Sequence, residues 1–209
     1  KWERVILAFR GTDLNLETSS GLADSCADSL LWRNASWESL SLECRNKFSK
    51  SQLDYLHAAE VFADQALSTL NVRRGNTLLT GHSLGAGLAV LVAARSSMQQ
   101  TYQPRVLAFS APALDSVLRD RVHVLPASLP SSEFAVVWNE YDPLYVSSNQ
   151  SGNNSGVASC LFHPTEPLDC RTCYQEKEWQ LKMKPCQNCF LRTHVFKHYV
   201  DDLRGDLSR

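Results

Sequence analysis

"LLTGHSLGAGLAVLVAA", residues 78–94, is the stretch on which the fold turns. A polar serine, Ser83, stands where one apolar run ends and a second begins, with Gly81 and Gly85 on either side. The first run, "NTLLT", reads as a short strand, and residues 84 to about 97 read as an Ala- and Leu-rich helix. A nucleophile on a sharp strand-to-helix turn needs a strained backbone and close packing around it. Glycines at both flanks supply that room. The same turn puts Ser83 beside a helix N-terminus, where backbone N–H groups can stabilise an oxyanion. The competing reading is an N-cap serine with packing glycines.

Outward from this turn, strand-like and helix-like segments alternate. "RVILAFRGT" holds a continuous apolar run, Val5 to Phe9, ended by Gly11. "RVLAFSAP" and "EFAVVWN" read as further strands. Residues 49–75 read as a helix with Leu56, Ala59, Ala63, Ala66, Leu67 and Leu70 on one face and capping-box spacing at Ser49 and Gln52. "HVFKHYVDDL" carries a closing helical stripe through Val195 or Phe196, Tyr199 and Leu203. Alternation of this kind predicts an α/β layer architecture with a mainly parallel sheet. Two segments break the pattern. The polar stretch from Gly11 to about residue 50 reads as a long loop, and Gln150 to about Asn188 reads as an irregular Cys-rich insertion. The expected organisation is one domain over residues 1–209 that lacks an N-terminal part, with the insertion at 150–190.

A serine hydroxyl is a weak nucleophile until a base takes its proton. The strand–turn–helix elbow expects its partners in chain order Ser, then Asp or Glu, then His. Asp142, in "NEYDPLY", directly follows the strand "EFAVVWN", at the strand end where an α/β sheet places ligand groups. Asp115, Asp120 and Asp169 are rivals that follow no strand. His194 and His198 both lie beyond Asp142; His194 falls at the loop-helix junction, from which it can reach the site. His163 is a weaker candidate base, His57 and His123 break the chain order, and His82 reads as a structural residue packed beneath the turn.

Composition narrows the setting. The 209 residues are 44% hydrophobic with a net charge of -1, which gives no broad attraction to phosphate backbones, so no nucleic-acid partner is expected. No apolar run reaches the roughly 18 residues of a membrane span. Seven cysteines accompany sequons at Asn34, Asn149 and Asn153, which favours a secretory route ending outside the cell or in a vacuolar or lysosomal lumen, with any membrane anchor in sequence beyond this chain. Cys170-x-x-Cys173 and Cys186-x-x-Cys189, twelve residues apart, have zinc-ribbon spacing. Cys160 close by and the sequons favour disulfides in the same place, with zinc as the alternative. In either case the role is to fix the loop that delivers His194. No catalytic metal or cofactor is expected.

Taken together, "VILAFRGT", "TGHSLGAGLAVL", "NEYDPLY" and "THVFKHYV" resemble the fungal-type class 3 lipases, an α/β-hydrolase family. The resemblance covers about a third of the chain. It implies an α/β-hydrolase fold, a serine nucleophile, Asp142 orienting His194, and an aromatic residue beyond the base with four residues between, which Tyr199 provides. It also assigns the oxyanion hole to Thr12 and to the Leu84 N–H, and a lid to residues 14–32, with Leu22, Leu30, Leu31 and Trp32 turning towards lipid. "SCADSLLW" and "PCQNCFLRTH" are similar to the Cys-rich vacuolar phospholipases of autophagy. One departure stands out: the family's usual "GHSLGGA" reads "GHSLGAG" here, moving one glycine by a position. The activity implied is hydrolysis of lipid esters, triacylglycerol or phospholipid, at a membrane or lipid interface without a cofactor. The alternative is a catalytically weak lipid- or protein-binding module.

Overall fold

Five short strands pair in parallel and in chain order: β1 (Val5–Phe9), β2 (Thr77–His82), β3 (Arg105–Phe109), β4 (Phe134–Asn139) and β5 (Ala158–Phe162). A computed structural model of the chain describes residues 4–33, 35–72, 76–98, 104–130, 132–139, 142, 144, 157–162, 193–194 and 200. Parallel neighbours need long crossovers, and helices fill them. Between β1 and β2 run α1 (Ser19–Trp32), α2 (Leu42–Lys47) and α3 (Tyr55–Leu70); between β2 and β3 runs α4 (Leu84–Met98). This is the α/β layering with a parallel sheet that the alternating sequence predicts, and it agrees with the α/β-hydrolase fold that the resemblance implies.

The core lies on one face of the sheet. Val5, Leu7, Leu79, Val106, Ala108, Phe134 and Val136 are buried there, and alternate strand residues point the other way. Every residue of α4 from Leu84 to Ala94 is buried. A helix that is apolar all round must be enclosed. α3, which packs on α4, is amphipathic and buries Leu56, Ala59 and Ala63. An ion pair from Arg95 to Glu60 at 2.8 Å ties the two helices at their rim. α3 starts later than the sequence predicts, at Tyr55, because the Asp54 carboxylate caps the His57 N–H. Ser49 and Gln52 do exchange reciprocal hydrogen bonds, but in a separate turn ahead of the helix.

Two expectations need correction. The stretch to residue 50 is not a long loop: it forms α1, a 3-10 turn at Trp37–Ser39, and α2. Its periodicity is hidden because the buried side of α1 includes Gly21 and Asp24 beside Cys26, Ala27 and Leu31. These elements close a second small core, in which Leu22 and Leu30 of α1 pack around Cys26, Leu40, Cys44 and Leu53. The second correction is β5, a regular parallel strand inside the segment read as an irregular insertion. The four cysteines Cys170, Cys173, Cys186 and Cys189, the sequons at Asn34, Asn149 and Asn153, the rivals His163, Asp169 and His198, and Tyr199 lie outside the described residues. Among those described, no helix is long and apolar enough to cross a membrane.

A disulfide joins Cys26 of α1 to Cys44 of α2, with Cα atoms 6.0 Å apart and a sequence separation of 18. A loop of that size restricts the unfolded chain enough to contribute about 3 kcal/mol. The double substitution Cys26→Ser/Cys44→Ser should lower stability by roughly that amount in urea unfolding under non-reducing conditions. An unchanged transition midpoint would show the bond to be absent or without effect.

Candidate active site

Ser83 directly follows β2 and directly precedes α4, and its backbone sits in the left-handed region at φ 55°. A non-glycine residue there is strained and persists only where its surroundings hold it. Here the Ser83 N–H donates to the Phe109 carbonyl at 3.0 Å, and the Ser83 carbonyl accepts from the Gly87 N–H at 3.1 Å. The close approach of helix and sheet depends on Gly85. A Cβ at that position would stand 2.7 Å from the Arg10 carbonyl oxygen and would collide with that of Phe9. Gly81 is in turn pressed against the backbone of Gly85.

Gly87 accounts for the departure of "GHSLGAG" from the family pattern. A Cβ there would collide with the six-membered ring of Trp32, the last residue of α1. The glycine therefore stands where a large aromatic side chain docks on α4, while Ala86 is fully buried. The same contact changes the reading of residues 14–32. Leu31 is part of the main core, Trp32 packs on Gly87, and Leu22 and Leu30 belong to the second core. α1 is thus bound into the domain by its apolar residues. Leu14 and Leu16, just ahead of α1, are exposed instead, at 55% and 60%.

The structure brings Ser83, Asp142 and His194 together. His194 Nε2 lies 2.9 Å from Ser83 Oγ, and His194 Nδ1 lies 3.0 and 3.2 Å from the two Asp142 oxygens. Asp142 is fully buried just past β4, where its N–H donates to the Asn139 carbonyl and its carboxylate accepts from the Leu144 N–H at 2.8 Å. With the proton on Nδ1, His194 donates to the carboxylate and Nε2 accepts from the serine hydroxyl. A carboxylate that fixes the tautomer this way leaves Nε2 ready to take a proton. The rival Asp115 instead opens a short helical turn beyond β3, and Asp120 lies in the turn after it.

Leu84 is the first residue of α4, so its N–H has no acceptor within the helix. Thr12 lies on the loop after β1 and lines an open cavity of about 510 Å³ with Phe9, Gly11, Thr80, His82 and Phe109. Two acids on α1, the buried Asp24 and the half-buried Asp28, hold this loop, and the sequence reading missed both. Asp24 accepts from Arg10 Nη2 at 2.8 and 3.0 Å, from the Asp13 N–H at 2.7 Å and from the Tyr55 hydroxyl at 2.8 Å. Asp28 accepts from the Thr12 hydroxyl at 2.8 Å and from Trp32 Nε1 at 3.0 Å. Their four-residue spacing in "ADSCADS" is the signal that could have placed both on one helix face. No cluster of three metal-ligating side chains occurs among the described residues.

A family model described as lipase (class 3) matches residues 6–143. No curated protein matches the sequence. Among solved structures, an esterase from Pyrobaculum calidifontis is similar at 14% identity and TM-score 0.40, over 95% of this chain and 77% of that one. An arylesterase is similar at 16% identity and TM-score 0.38, over 77% and 68%. An esterase from Pseudomonas putida ECU1011 is similar at 14% identity and TM-score 0.38, over 95% and 75%.

Burial pushes the Asp28 carboxyl up from its ordinary 3.8 to about 6, against the downward pull of the Thr12 and Trp32 hydrogen bonds. A carboxyl raised in the folded state contributes stability that is full below pH 4 and lost as the pH rises through 6. Asp28→Asn does not titrate. Its stability relative to wild type should therefore improve between pH 4 and pH 7, by up to about 3 kcal/mol. Urea unfolding of both proteins at the two pH values checks this, and an equal difference at both would refute it.

Proposed function

The chain belongs to the class 3 lipase family, a family of carboxylic ester hydrolases, and on that premise we propose that it hydrolyses lipid esters through an acyl-enzyme on Ser83. The observation that carries this reading is the hydrogen-bonded line from Ser83 Oγ through His194 to the buried carboxylate of Asp142. Ser83 Oγ attacks the acyl carbonyl carbon while His194 Nε2 takes the hydroxyl proton. Asp142 stabilises the imidazolium that forms. The oxyanion is held by the N–H groups of Leu84 and Thr12, while the Thr12 hydroxyl donates to Asp28 and so fixes the loop that carries it. Collapse of the tetrahedral intermediate expels the alcohol, which receives the proton from His194. Water, activated by the same histidine, then releases the acid and restores Ser83. No step calls for a cofactor.

Substrate presented at a lipid surface fits the surroundings of the site. Leu14 and Leu16 project from the loop that also carries Thr12. Asp13 braces that loop by accepting from the Asn15 N–H and from the hydroxyls of Thr18 and Ser20. In this reading a braced pair of leucines meets the lipid, in place of a hinged lid. An oxidising lumen suits the Cys26–Cys44 bond and the sequons. Free thiols at both cysteines of the natively produced protein would overturn that placement.

Ser83→Ala should lower ester turnover by roughly 10⁴–10⁶-fold with an unchanged far-UV spectrum. A fluorophosphonate probe should label Ser83 in the wild type alone. Turnover near wild type in Ser83→Ala would refute the mechanism, and a folded wild type inert to the probe would favour a binding module. Leu14→Ser/Leu16→Ser should reduce hydrolysis of vesicle or emulsion substrates while leaving a soluble short-chain ester unaffected. Equal loss on both substrates would count against the interfacial role.

A further inference from the structure

The residue before the nucleophile contacts more of the site than a turn requires. His82 ends β2, and its imidazole lies with its centroid 4.8 Å from that of His194, the planes tilted by 43°. One of its ring N–H groups is directed at the His194 backbone. The loop after β1 closes over the same residue. A Cβ on Gly11 would stand 2.8 Å from the His82 carbonyl oxygen and 3.7 Å from Nδ1, so only glycine lets that loop come so near. His82 is therefore bonded to the nucleophile, in ring and backbone contact with the base, and packed against the loop that bears Thr12.

We propose that His82 is a positioning residue for the base, setting the height and tilt of the His194 imidazole between Ser83 and Asp142 through ring contact and a bond to its backbone. The inference rests on the acyl-enzyme reading above. The two hydrogen bonds of His194 fix the direction of its ring, but both run through the ring nitrogens. Neither restrains the backbone that carries the ring, which enters the site 111 residues after the serine. A strut from the end of β2, the strand that Ser83 directly follows, refers the base and the nucleophile to one rigid element. Reacting groups have to be held to within about 0.5 Å, and a displacement of 1 Å can cost about a hundredfold in rate.

The charge state of the strut matters as well. His194 becomes a cation when it accepts the serine proton, so a second imidazolium beside it would oppose that step. Burial, followed by the neighbouring His194, holds the His82 conjugate acid down to about 4 from its ordinary 6.5; Asp142 acts in the opposite sense. Among the described residues these two are the titratable groups that act on it, and His82 stays neutral through the working range of a histidine base.

The test compares His82→Ala, His82→Phe and His82→Asn with wild type on a soluble ester. Active serines are counted by fluorophosphonate titration, so that rates refer to competent sites only. His82→Ala should lose roughly 10–100-fold in kcat per titrated site with KM changed by less than about threefold. His82→Asn, which keeps a donor, should recover part of the loss; His82→Phe, which fills the volume without a donor, should recover less. A purely structural role predicts fewer active sites or a lower Tm with kcat per site unchanged, and that result overturns the proposal. If His82→Ala does not fold, His82→Phe alone decides: kcat per site within about twofold of wild type overturns it. A wild type that neither turns over esters nor labels at Ser83 refutes the underlying function instead.

Discussion

The contact on which the rest of the site depends is the one between the first turn of α4 and the ends of β1 and β2. Gly85 sits where any side chain would meet the carbonyls of Phe9 and Arg10. This approach lifts Ser83 out of the sheet with φ at 55° and aims the N-terminus of the helix at the space above it. The strain in the turn, of order 1–3 kcal/mol, is offset by the burial of α4. Several Leu and Val side chains there are enclosed, each worth about 1.5–3 kcal/mol. A less apolar helix could not hold so sharp an elbow.

The loop that carries Thr12 is held by polar chemistry. A carboxylate removed from water costs several kcal/mol unless it is paired and hydrogen-bonded. Asp24 meets that cost with a guanidinium, a backbone N–H and a phenolic hydroxyl. Asp28 has two neutral donors and no such partner, and its raised titration is the result. α1 thus does two jobs through one face: Asp24 anchors the Arg10 end of the loop after β1, and Asp28 orients the Thr12 hydroxyl. The Trp32–Gly87 contact and the Cys26–Cys44 bond keep that face in place from either side.

Much of this is written plainly in the sequence. The strands at Val5–Phe9, Arg105–Phe109 and Phe134–Asn139 carry continuous apolar runs closed by glycine or polar residues, and Thr77–His82 carries a shorter one at Leu78 and Leu79. Strands of a parallel sheet leave that trace. Ser83, Asp142 and His194 were legible from chain order and from their places at the ends of elements. α1 was not, because helix recognition looks for an apolar stripe and this helix buries a glycine and an aspartate where the stripe should run. β5 was hidden in a segment whose composition reflects cysteines and turns more than its five-residue strand. Trp32 illustrates a different gap: its partner is Gly87, and a glycine announces that something comes close without saying what.

The order of the sheet has a bearing on when the serine acquires its reactivity. β2 pairs with β3 across a short crossover made of α4 alone, so the elbow lies within the most local part of the fold. β1 must close over a far longer crossover to bring Thr12 into place, and His194 arrives from a point 111 residues beyond Ser83. Contacts of great sequence separation pay their loop-closure entropy before they return anything. A chain ending anywhere short of His194 can therefore hold the elbow and its helix and still present an ordinary alcohol. On the proposed mechanism, nucleophilicity at Ser83 depends on closure over that whole span, which the turn, the helix and the sheet by themselves do not achieve.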